Sequence, residues 1–361
     1  MPKNNSKGIN VFQKYLTIWV ALCMVIGVLI GKYIPKIPEF FGNFEYAKVS
    51  IPTAILIWIM IYPMMMKVDF ESVKNVRKNP KGLYITRITN WLIKPFTMYA
   101  IVYFFLFVVF KNFITPDLAT GYLAGAVILG AAPCTAMVFV WSTLTKGDPA
   151  YTVVQVATNN IIILVAFVPI VKSLLGVSNV VVPWDTLILS VVLFVVIPLL
   201  AGIITRVKVV SNKGLDYFEN EFISKFDSVT TIGLLLMLVL LFSFQGNTIL
   251  NNPIHILLIA IPLTVQTILI FSISYFASYK AKLPFKISAP AGMIGASNFF
   301  ELSVAVAIAL FGMNSPAALA TTVGVLTEVP IMLMLVKYAN RTKQIFESDR
   351  VNKAILSEEV N

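Results

Sequence analysis

The sequence predicts an all-α polytopic membrane protein with ten transmembrane helices, arranged as a 5+5 inverted repeat in which helices four and nine are broken. Three observations lead to this prediction: the composition, the distribution of positive charge and a pattern that recurs 167 residues further along the chain. Hydrophobic residues make up 58% of the 361 residues and charged residues only 12%, whereas soluble domains carry about 25% charged residues. At roughly 20 apolar residues per crossing, the chain holds about ten helices, so we predict one transmembrane domain over residues 1–361.

Apolar runs of crossing length recur along the whole chain. The first run follows Lys3, Lys7 and Lys14, as it would in a signal peptide, but it is longer than the apolar region of such a peptide and lacks an A-x-A cleavage site. We therefore interpret it as a retained helix. The predicted crossings are residues 15–33, 49–66, 88–110, 119–144, 150–171, 185–205, 229–244, 255–279, 288–312 and 316–336.

Positive charge is concentrated on one side of the predicted membrane. The net charge is +11, and 23 of the 28 lysines and arginines fall in segments on the same side as the N-terminus, including seven from Lys67 to Lys94. Such an excess marks the cytoplasmic side of a membrane protein. We therefore predict a multi-pass protein of the plasma membrane lipid bilayer, with both termini in the cytoplasm, a polar tail over residues 341–361 and no nucleic-acid partner.

Two short connections reveal the repeat. "GDPA" (residues 147–150) and "NSPA" (residues 314–317) follow the fourth and ninth predicted helices, and their prolines are 167 residues apart. The same shift carries Cys134 onto Glu301. Each half then holds five helices, over about 12–175 and 182–340, and the odd number reverses the orientation of the second half. Inverted repeats are typical of transporters whose substrate site lies near the membrane midplane; a chance alignment of apolar stretches is the alternative.

The fourth predicted helix carries a proline at its centre, in "GAAPCTAMVFVWS" (residues 130–142). Proline lacks a backbone donor and clashes with the preceding turn, so the helix should break near Pro133. The equivalent stretch of helix nine, "GASNFFE" (residues 295–301), has no proline but combines Ser297 and Asn298 with a carboxylate. Backbone freed at membrane depth is tolerated where it is buried in protein or lines a cavity. We therefore predict that the breaks form a binding site, with an ordinary proline kink as the alternative.

Polar side chains near the breaks are candidate site residues. Glu301 is the strongest, because an ionisable group within an apolar crossing costs on the order of 3 kcal/mol and marks functional sites. Glu328 has the same status in helix ten, with a structural hydrogen bond as the alternative, and both glutamates are predicted to couple transport to protons. Asn159 and Asn160 are either site wall or polar contacts between helices. The predicted substrate-binding residues are Cys134, Asn159, Asn160, Ser297, Asn298 and Glu301.

Cys134 adds a soft ligand to the predicted site. It directly follows Pro133, so we expect it to open the second half of a broken helix, where backbone N–H groups point into the site. Its sulfur can bind a thiophilic metal or metalloid, and a single cysteine suits a carrier that must release its cargo, whereas three or four would form a tight metal site. Cys23, in the first helix, is predicted to be packing. We predict no resident cofactor.

Motifs for several other functions are absent from the sequence. There is no G-x-x-x-x-G-K-[ST] loop for ATP hydrolysis and no H-E-x-x-H zinc motif, and the single histidine, His255, lies at the predicted start of helix eight. The driving energy should therefore come from an ion gradient. A channel would not require paired inverted breaks, and a membrane enzyme would require more catalytic groups, so we expect no enzymatic activity.

The two break motifs, "GAAPCTAMVFVWS" and "GMIGASNFFELSVAVAIALFG" (residues 292–312), resemble those of the arsenite efflux permeases of the arsenical-resistance family. This family belongs to the bile acid, arsenite and riboflavin transporter superfamily, and the likeness extends over essentially all ten crossings. It implies that Cys134 and Glu301 are the functional pair. It also implies a panel of helices one, two, six and seven beside a core of helices three to five and eight to ten.

The resemblance supplies arsenite as the expected substrate, with antimonite left open. Arsenous acid is small, neutral at physiological pH and thiophilic, so one soft sulfur surrounded by Asn, Ser and Thr side chains is a suitable site. Export of a neutral solute gains nothing from the membrane potential unless a charge moves with it, so we expect exchange with protons carried by Glu301. A sodium-coupled carrier of an organic anion, of the bile-acid transporter type, is the alternative function. The sequence leaves the oligomeric state open.

Overall fold

The computed structural model describes residues 16–42, 44–46, 49–67, 80–135, 137–178, 180, 182–251 and 253–358, which are almost entirely helical. The helices are α1 (Leu16–Tyr33), α2 (Lys36–Gly42), α3 (Ile51–Met66), α4 (Pro80–Val109), α5 (Pro116–Ala131), α6 (Met137–Leu144), α7 (Pro149–Val177), α8 (Trp184–Lys213), α9 (Leu215–Phe244), α10 (Gly246–Asn251), α11 (Pro253–Lys280), α12 (Phe285–Ala296), α13 (Phe300–Phe311) and α14 (Pro316–Glu358). One antiparallel pair of two-residue strands, β1 (Glu45–Tyr46) and β2 (Val49–Ser50), precedes α3.

Helix covers most of every stretch that the sequence predicts as a crossing. Within the described ranges, six helices are long and apolar enough to span a bilayer by length and composition, namely α4, α7, α8, α9, α11 and α14 as far as Phe346. Shorter apolar helices include parts of α1 and α3 and the whole of α13. The prediction of an all-α polytopic membrane protein is therefore confirmed, whereas the ten-helix inverted repeat stays a prediction.

Helix contacts divide most of the described chain into two groups. In the first group α1 packs along α9, and α3 packs against both α8 and α9. In the second group α11 packs against α12 and α14, while α5 packs against α4 and α14. Helix α13 connects the groups, because it contacts α5 and α14 on one side and α3 and α8 on the other. These groups hold the helices that the resemblance assigns to a panel and a core.

Small residues bring helices together within each group. A Cβ atom added at Gly31 of α1 would lie 2.2 Å from the backbone oxygen of Ser243 in α9. A Cβ atom added at Gly125 of α5 would lie 2.2 Å from the backbone oxygen of Ala317 in α14. Both glycines close G-x-x-x-G runs, which permit close approach of helices in membranes. In this chain the two runs serve contacts within the protein.

The two connections of the predicted repeat have similar local structures. The Asp148 side chain accepts backbone N–H bonds from Ala150 and Tyr151 at 2.9 and 3.2 Å at the start of α7. The Ser315 hydroxyl accepts the N–H of Ala318 at 3.1 Å at the start of α14. In each case a proline follows the capping residue, where its missing N–H costs nothing. The caps therefore explain why α7 and α14 begin where they do.

Helix α14 continues into the segment that the sequence predicts as a polar tail. Phe346 is buried, and its ring packs edge-on against Tyr279 of α11 and Phe285 of α12. An apolar residue in a mixed-charge segment therefore attaches this part of α14 to the second helix group.

Candidate functional site at two crossed helix breaks

The first break separates α5 from α6. Helix α5 ends at Ala131, and Ala132 has the extended conformation, with φ −119° and ψ 117°. A residue that precedes proline is disfavoured in the helical conformation, so Pro133 accounts for this ending. Helix α6 resumes at Met137. The predicted break at Pro133 is therefore present in the structure.

The second break separates α12 from α13 without a proline. Helix α12 ends at Ala296, Ser297 is extended with φ −79° and ψ 143°, and Phe299 has φ −87° and ψ 76°. Ser and Asn side chains compete with the helical backbone for hydrogen bonds, which favours a helix end at Ser297 and Asn298. The short non-helical stretch lies where its sequence predicts it.

The two breaks cross and pair with each other. Pro133 and Asn298 form an isolated antiparallel bridge. The Cys134 N–H donates to the Ser297 carbonyl at 3.2 Å, and the Phe299 N–H donates to the Ala132 carbonyl at 2.9 Å. Backbone groups released by each broken helix are thus satisfied by the other, as burial away from water requires.

Glu328 of α14 is held by the second break. Its Oε1 atom accepts the Ser297 hydroxyl at 2.6 Å, and both carboxylate oxygens lie 3.2 Å from the Asn298 backbone N–H. Its Oε2 atom also accepts from Nδ2 of Asn298 at 3.2 Å. The structural hydrogen bond that the sequence offered as an alternative for Glu328 is therefore present, and it connects two predicted site residues.

Lys94 reaches the same break from α4, and sequence reasoning missed it. Its Nζ donates to the Ser297 carbonyl at 2.6 Å, and the side chain is 1% exposed. Counting Lys94 among cytoplasmic loop charges was wrong, because α4 begins at Pro80 and places this lysine well inside a helix. A lysine within a predicted crossing was the available signal, since intramembrane charges are rare and functional.

A π-helical turn precedes Lys94. Residues Thr89–Ile93 form this turn, and the Lys94 N–H donates to the carbonyl of Thr89, five residues back. Pro95, the next residue, provides no backbone donor, so the regular ladder cannot continue through it. Single π turns are frequent at functional sites. Here the extra residue in the turn changes the helix face on which Lys94 lies.

Glu301 lies in the first turn of α13, directly after the second break. It is 2% exposed, and within the described part of the chain its Oε2 atom has no hydrogen-bond partner. It is close enough to Glu328 for their charges to interact. The Asn298 Oδ1 atom is likewise buried without a partner among the described residues. Two oxygen acceptors beside the break are thus available to a ligand.

Cys134 lies within the first break and is 1% exposed. The expectation that it opens the second half-helix was wrong, because α6 begins three residues later at Met137 and the Cys134 N–H is already bonded to Ser297. Lys94 is close enough to Cys134 for an electrostatic interaction. The adjacent Thr135 has a buried hydroxyl with no partner in the described chain. The two predicted key residues are therefore brought to one crossing, but not to equivalent positions of their helices.

Asn159 and Asn160, the predicted asparagine pair of α7, differ in their hydrogen bonding. Asn159 Oδ1 accepts the indole N–H of Trp91 at 3.2 Å, so it joins α7 to the π turn of α4. Both side-chain polar atoms of Asn160 are buried without a described partner. The same holds for Asn90, in the π turn, which sequence reasoning did not single out. Asn159 thus forms a contact between helices through its oxygen, while its Nδ2 atom, like both polar atoms of Asn160 and Asn90, is buried without a partner among the described residues.

The remaining singled-out residues lie away from the crossing. Cys23 is 6% exposed in α1, which belongs to the first helix group. His255, expected at the start of helix eight, is buried near the start of α11, and its Nδ1 atom is 2.8 Å from the Tyr122 hydroxyl of α5. This pair joins α5 to the first turn of α11.

A polytopic helical protein whose broken helices cross at buried carboxyl and thiol groups has the architecture of a secondary transporter. Comparisons with known proteins agree, since residues 54–252 match the sequence model of the sodium bile acid symporter family. The chain therefore belongs to this family.

Three relatives extend over almost the whole chain. The arsenical-resistance protein Acr3 of Alkaliphilus metalliredigens is 62% identical over 343 residues, which cover 95% of this chain and 96% of that protein. An uncharacterized transporter of Synechocystis is 45% identical over 357 residues, with 96% and 93% coverage. The arsenical-resistance protein Acr3 of Corynebacterium glutamicum is 33% identical over 337 residues, with 91% and 88% coverage. The resemblance noted in the two break motifs is thereby confirmed.

Proposed function

We propose that this protein exports arsenite from the cytoplasm across the plasma membrane in exchange for protons. Two relatives with nearly full coverage carry the name of arsenical-resistance proteins. The observation that carries the proposal is the position of Cys134 at a crossing that also buries oxygens of Glu301, Asn298 and Thr135 for which the described residues provide no hydrogen-bond partner. A buried polar group without a partner costs about 1–3 kcal/mol, so a ligand with hydroxyl groups would satisfy several at once.

The substrate chemistry fits this set of groups. When arsenous acid binds, the S–H bond of Cys134 and one As–OH bond break, while an S–As bond and a water molecule form. Hydrolysis reverses the step and releases the cargo. The two remaining As–OH groups can donate to Glu301 and Asn298, and one sulfur leaves the bond reversible enough for transport. Antimonite has the same ligand chemistry and is a second expected cargo.

Proton coupling is assigned to Glu301. An antiporter needs a group that binds the proton in one state and releases it in the other. A carboxyl with an oxygen that has no partner among the described residues can do this without breaking a hydrogen-bond network. Protonation from outside would neutralise Glu301 and let the crossing reorient. One elementary charge moved inward contributes about 2.3 kcal/mol per 100 mV of membrane potential to export.

The proposed architecture is the ten-helix inverted repeat with both termini in the cytoplasm. Two observations support it. Helices α7 and α14 both begin with a proline that follows a capping side chain, and the two helix breaks cross. Single cysteines at the exposed positions Lys213 and Lys111 test the orientation, in a chain whose two native cysteines are buried. We expect an impermeant thiol reagent to label position 213 only from the cytoplasm and position 111 only from outside. The reverse pattern would contradict this orientation.

A sodium-coupled carrier of an organic anion is the second candidate function. The description of the matching family favours it, whereas the names of the two arsenical-resistance relatives favour arsenite. Uptake of arsenite and of a bile acid into everted membrane vesicles separates the two. We expect arsenite uptake that follows an imposed pH gradient and is unchanged when choline replaces sodium. Bile acid uptake that requires sodium, with no arsenite uptake, would overturn the proposal.

A further inference from the structure

We propose that the ammonium group of Lys94 is a built-in cation of the second break, which occupies the position of a coupling sodium ion and so excludes sodium from this site. The proposal rests on the proposed function, because it assigns the ion selectivity of the same transport site. It concerns a positioning residue, since Lys94 acts through Ser297 and Glu328.

The second break presents the oxygen ligands that a small hard cation requires. Non-helical carbonyls and carboxylates at broken helices coordinate sodium in transporters, and oxygen ligands are those that hard cations prefer. Here the Ser297 carbonyl accepts from Lys94, and the Ser297 hydroxyl donates to Glu328. A carbonyl and a carboxylate thus meet at one residue. Lys94 Nζ lies 2.6 Å from the Ser297 carbonyl oxygen, where it supplies one positive charge near the Glu328 carboxylate.

Neighbouring side chains fix the lysine at this position. The Lys94 carbonyl accepts Nε2 of Gln266 at 3.0 Å and the Thr97 hydroxyl at 3.1 Å. Gln266 also bonds to the Thr97 hydroxyl at 3.0 Å. Helix α11 therefore holds the backbone of α4 just after its π turn. A tethered cation in a fixed place does not need to enter and leave with each transport cycle.

Of the three charged side chains at the crossing, Lys94 and Glu328 are held by hydrogen bonds to the second break, whereas Glu301 is less restrained. Lys94 and Glu328 are close enough for their charges to interact, and Glu328 is also held by Ser297 and Asn298. Glu301 has an oxygen that no described residue hydrogen-bonds. With Lys94 placed beside the restrained carboxylate, Glu301 is the group that we infer exchanges a coupling ion. A purely structural lysine would make the same contacts, but its removal would not create a cation site.

The test compares purified full-length wild type with Lys94→Ala and with the matched control Lys81→Ala, which removes an exposed lysine of the same helix. Thermal unfolding is measured in choline chloride, sodium chloride and methylammonium chloride at equal ionic strength. We expect the midpoint of Lys94→Ala to rise in sodium and in methylammonium relative to choline. Wild type and Lys81→Ala should unfold at the same temperature in all three salts. If the unfolding midpoint of Lys94→Ala is the same in all three salts, the proposal is overturned.

Two further variants keep the test decisive. Lys94→Gln retains a donor for the Ser297 carbonyl and serves if the alanine variant does not purify; the same rise in sodium is expected, and its absence contradicts the proposal. Adding Glu328→Gln to either variant should abolish the response to sodium, and a response that persists would place the cation elsewhere. These unfolding measurements do not require arsenite, so they remain decisive even if wild-type vesicles fail to transport it and the proposed function is wrong.

Discussion

The two broken helices share a backbone arrangement but carry different chemistry. At the α5–α6 break, proline ends the helix and the side chain offered is the thiol of Cys134. At the α12–α13 break, Ser297 and Asn298 end the helix, and the charged groups are all on this side. Two backbone hydrogen bonds join the breaks. The comparison teaches that two crossed helix breaks can share a backbone geometry while one carries a thiol and the other carries charged side chains.

A second difference lies within the charged break itself. Glu328 receives hydrogen bonds from a hydroxyl, a backbone N–H and an amide. Glu301, a few residues beyond the break, has an oxygen without a partner in the described chain. Of these two neighbouring buried glutamates, Glu328 is thus held by several hydrogen bonds and Glu301 by fewer. The restrained one suits a structural role and the other suits proton exchange, which refines the prediction that both couple to protons.

The largest effect on arsenite transport is expected when Cys134, the proposed soft ligand, is replaced. Cys134→Ala should reduce arsenite uptake into everted vesicles to the level of vesicles without the protein, because no other described side chain at the crossing offers a thiol. Cys23→Ala, in a helix of the other group, is the control and should transport as wild type does. Equal transport by the two variants would contradict the division of chemistry between the breaks.

The next prediction is that replacing Glu328 lowers the free energy of unfolding more than replacing Glu301 does. Glu328→Gln weakens the hydrogen bonds that the carboxylate accepts from Ser297 and Asn298, and because hydrogen bonds to a charged group contribute about 1.5–3 kcal/mol each, we expect it to cost about 3 kcal/mol. Glu301→Gln keeps an oxygen that can accept the backbone N–H of residue 301 and breaks no described hydrogen bond to another residue, so its cost should stay within about 1 kcal/mol. Unfolding of the purified variants in detergent measures both. Similar losses of stability would show that the glutamates are not distinguished as the structure indicates.

Much of the fold could be predicted from the sequence, because a bilayer demands long apolar helices and proline marks a break. Pro133 and the mirrored stretch around Ser297 therefore located the crossing. The bond between Ser297 and Glu328 joins residues far apart in sequence, so no local pattern reveals it. Lys94 was missed because loop charges were counted without regard to burial. Asn90 was missed because an asparagine in an apolar helix is an ordinary helix contact unless its partners are known.

The central claim is that Glu301 carries the proton whose entry drives arsenite export. The measurement that tests it most directly is arsenite accumulation in everted vesicles under an imposed pH gradient, for wild type and Glu301→Gln. An uncharged amide mimics the protonated carboxyl but cannot release a proton. We predict that wild type accumulates arsenite in proportion to the pH gradient and that Glu301→Gln binds arsenite without accumulating it. Accumulation by Glu301→Gln at the wild-type level would contradict the account.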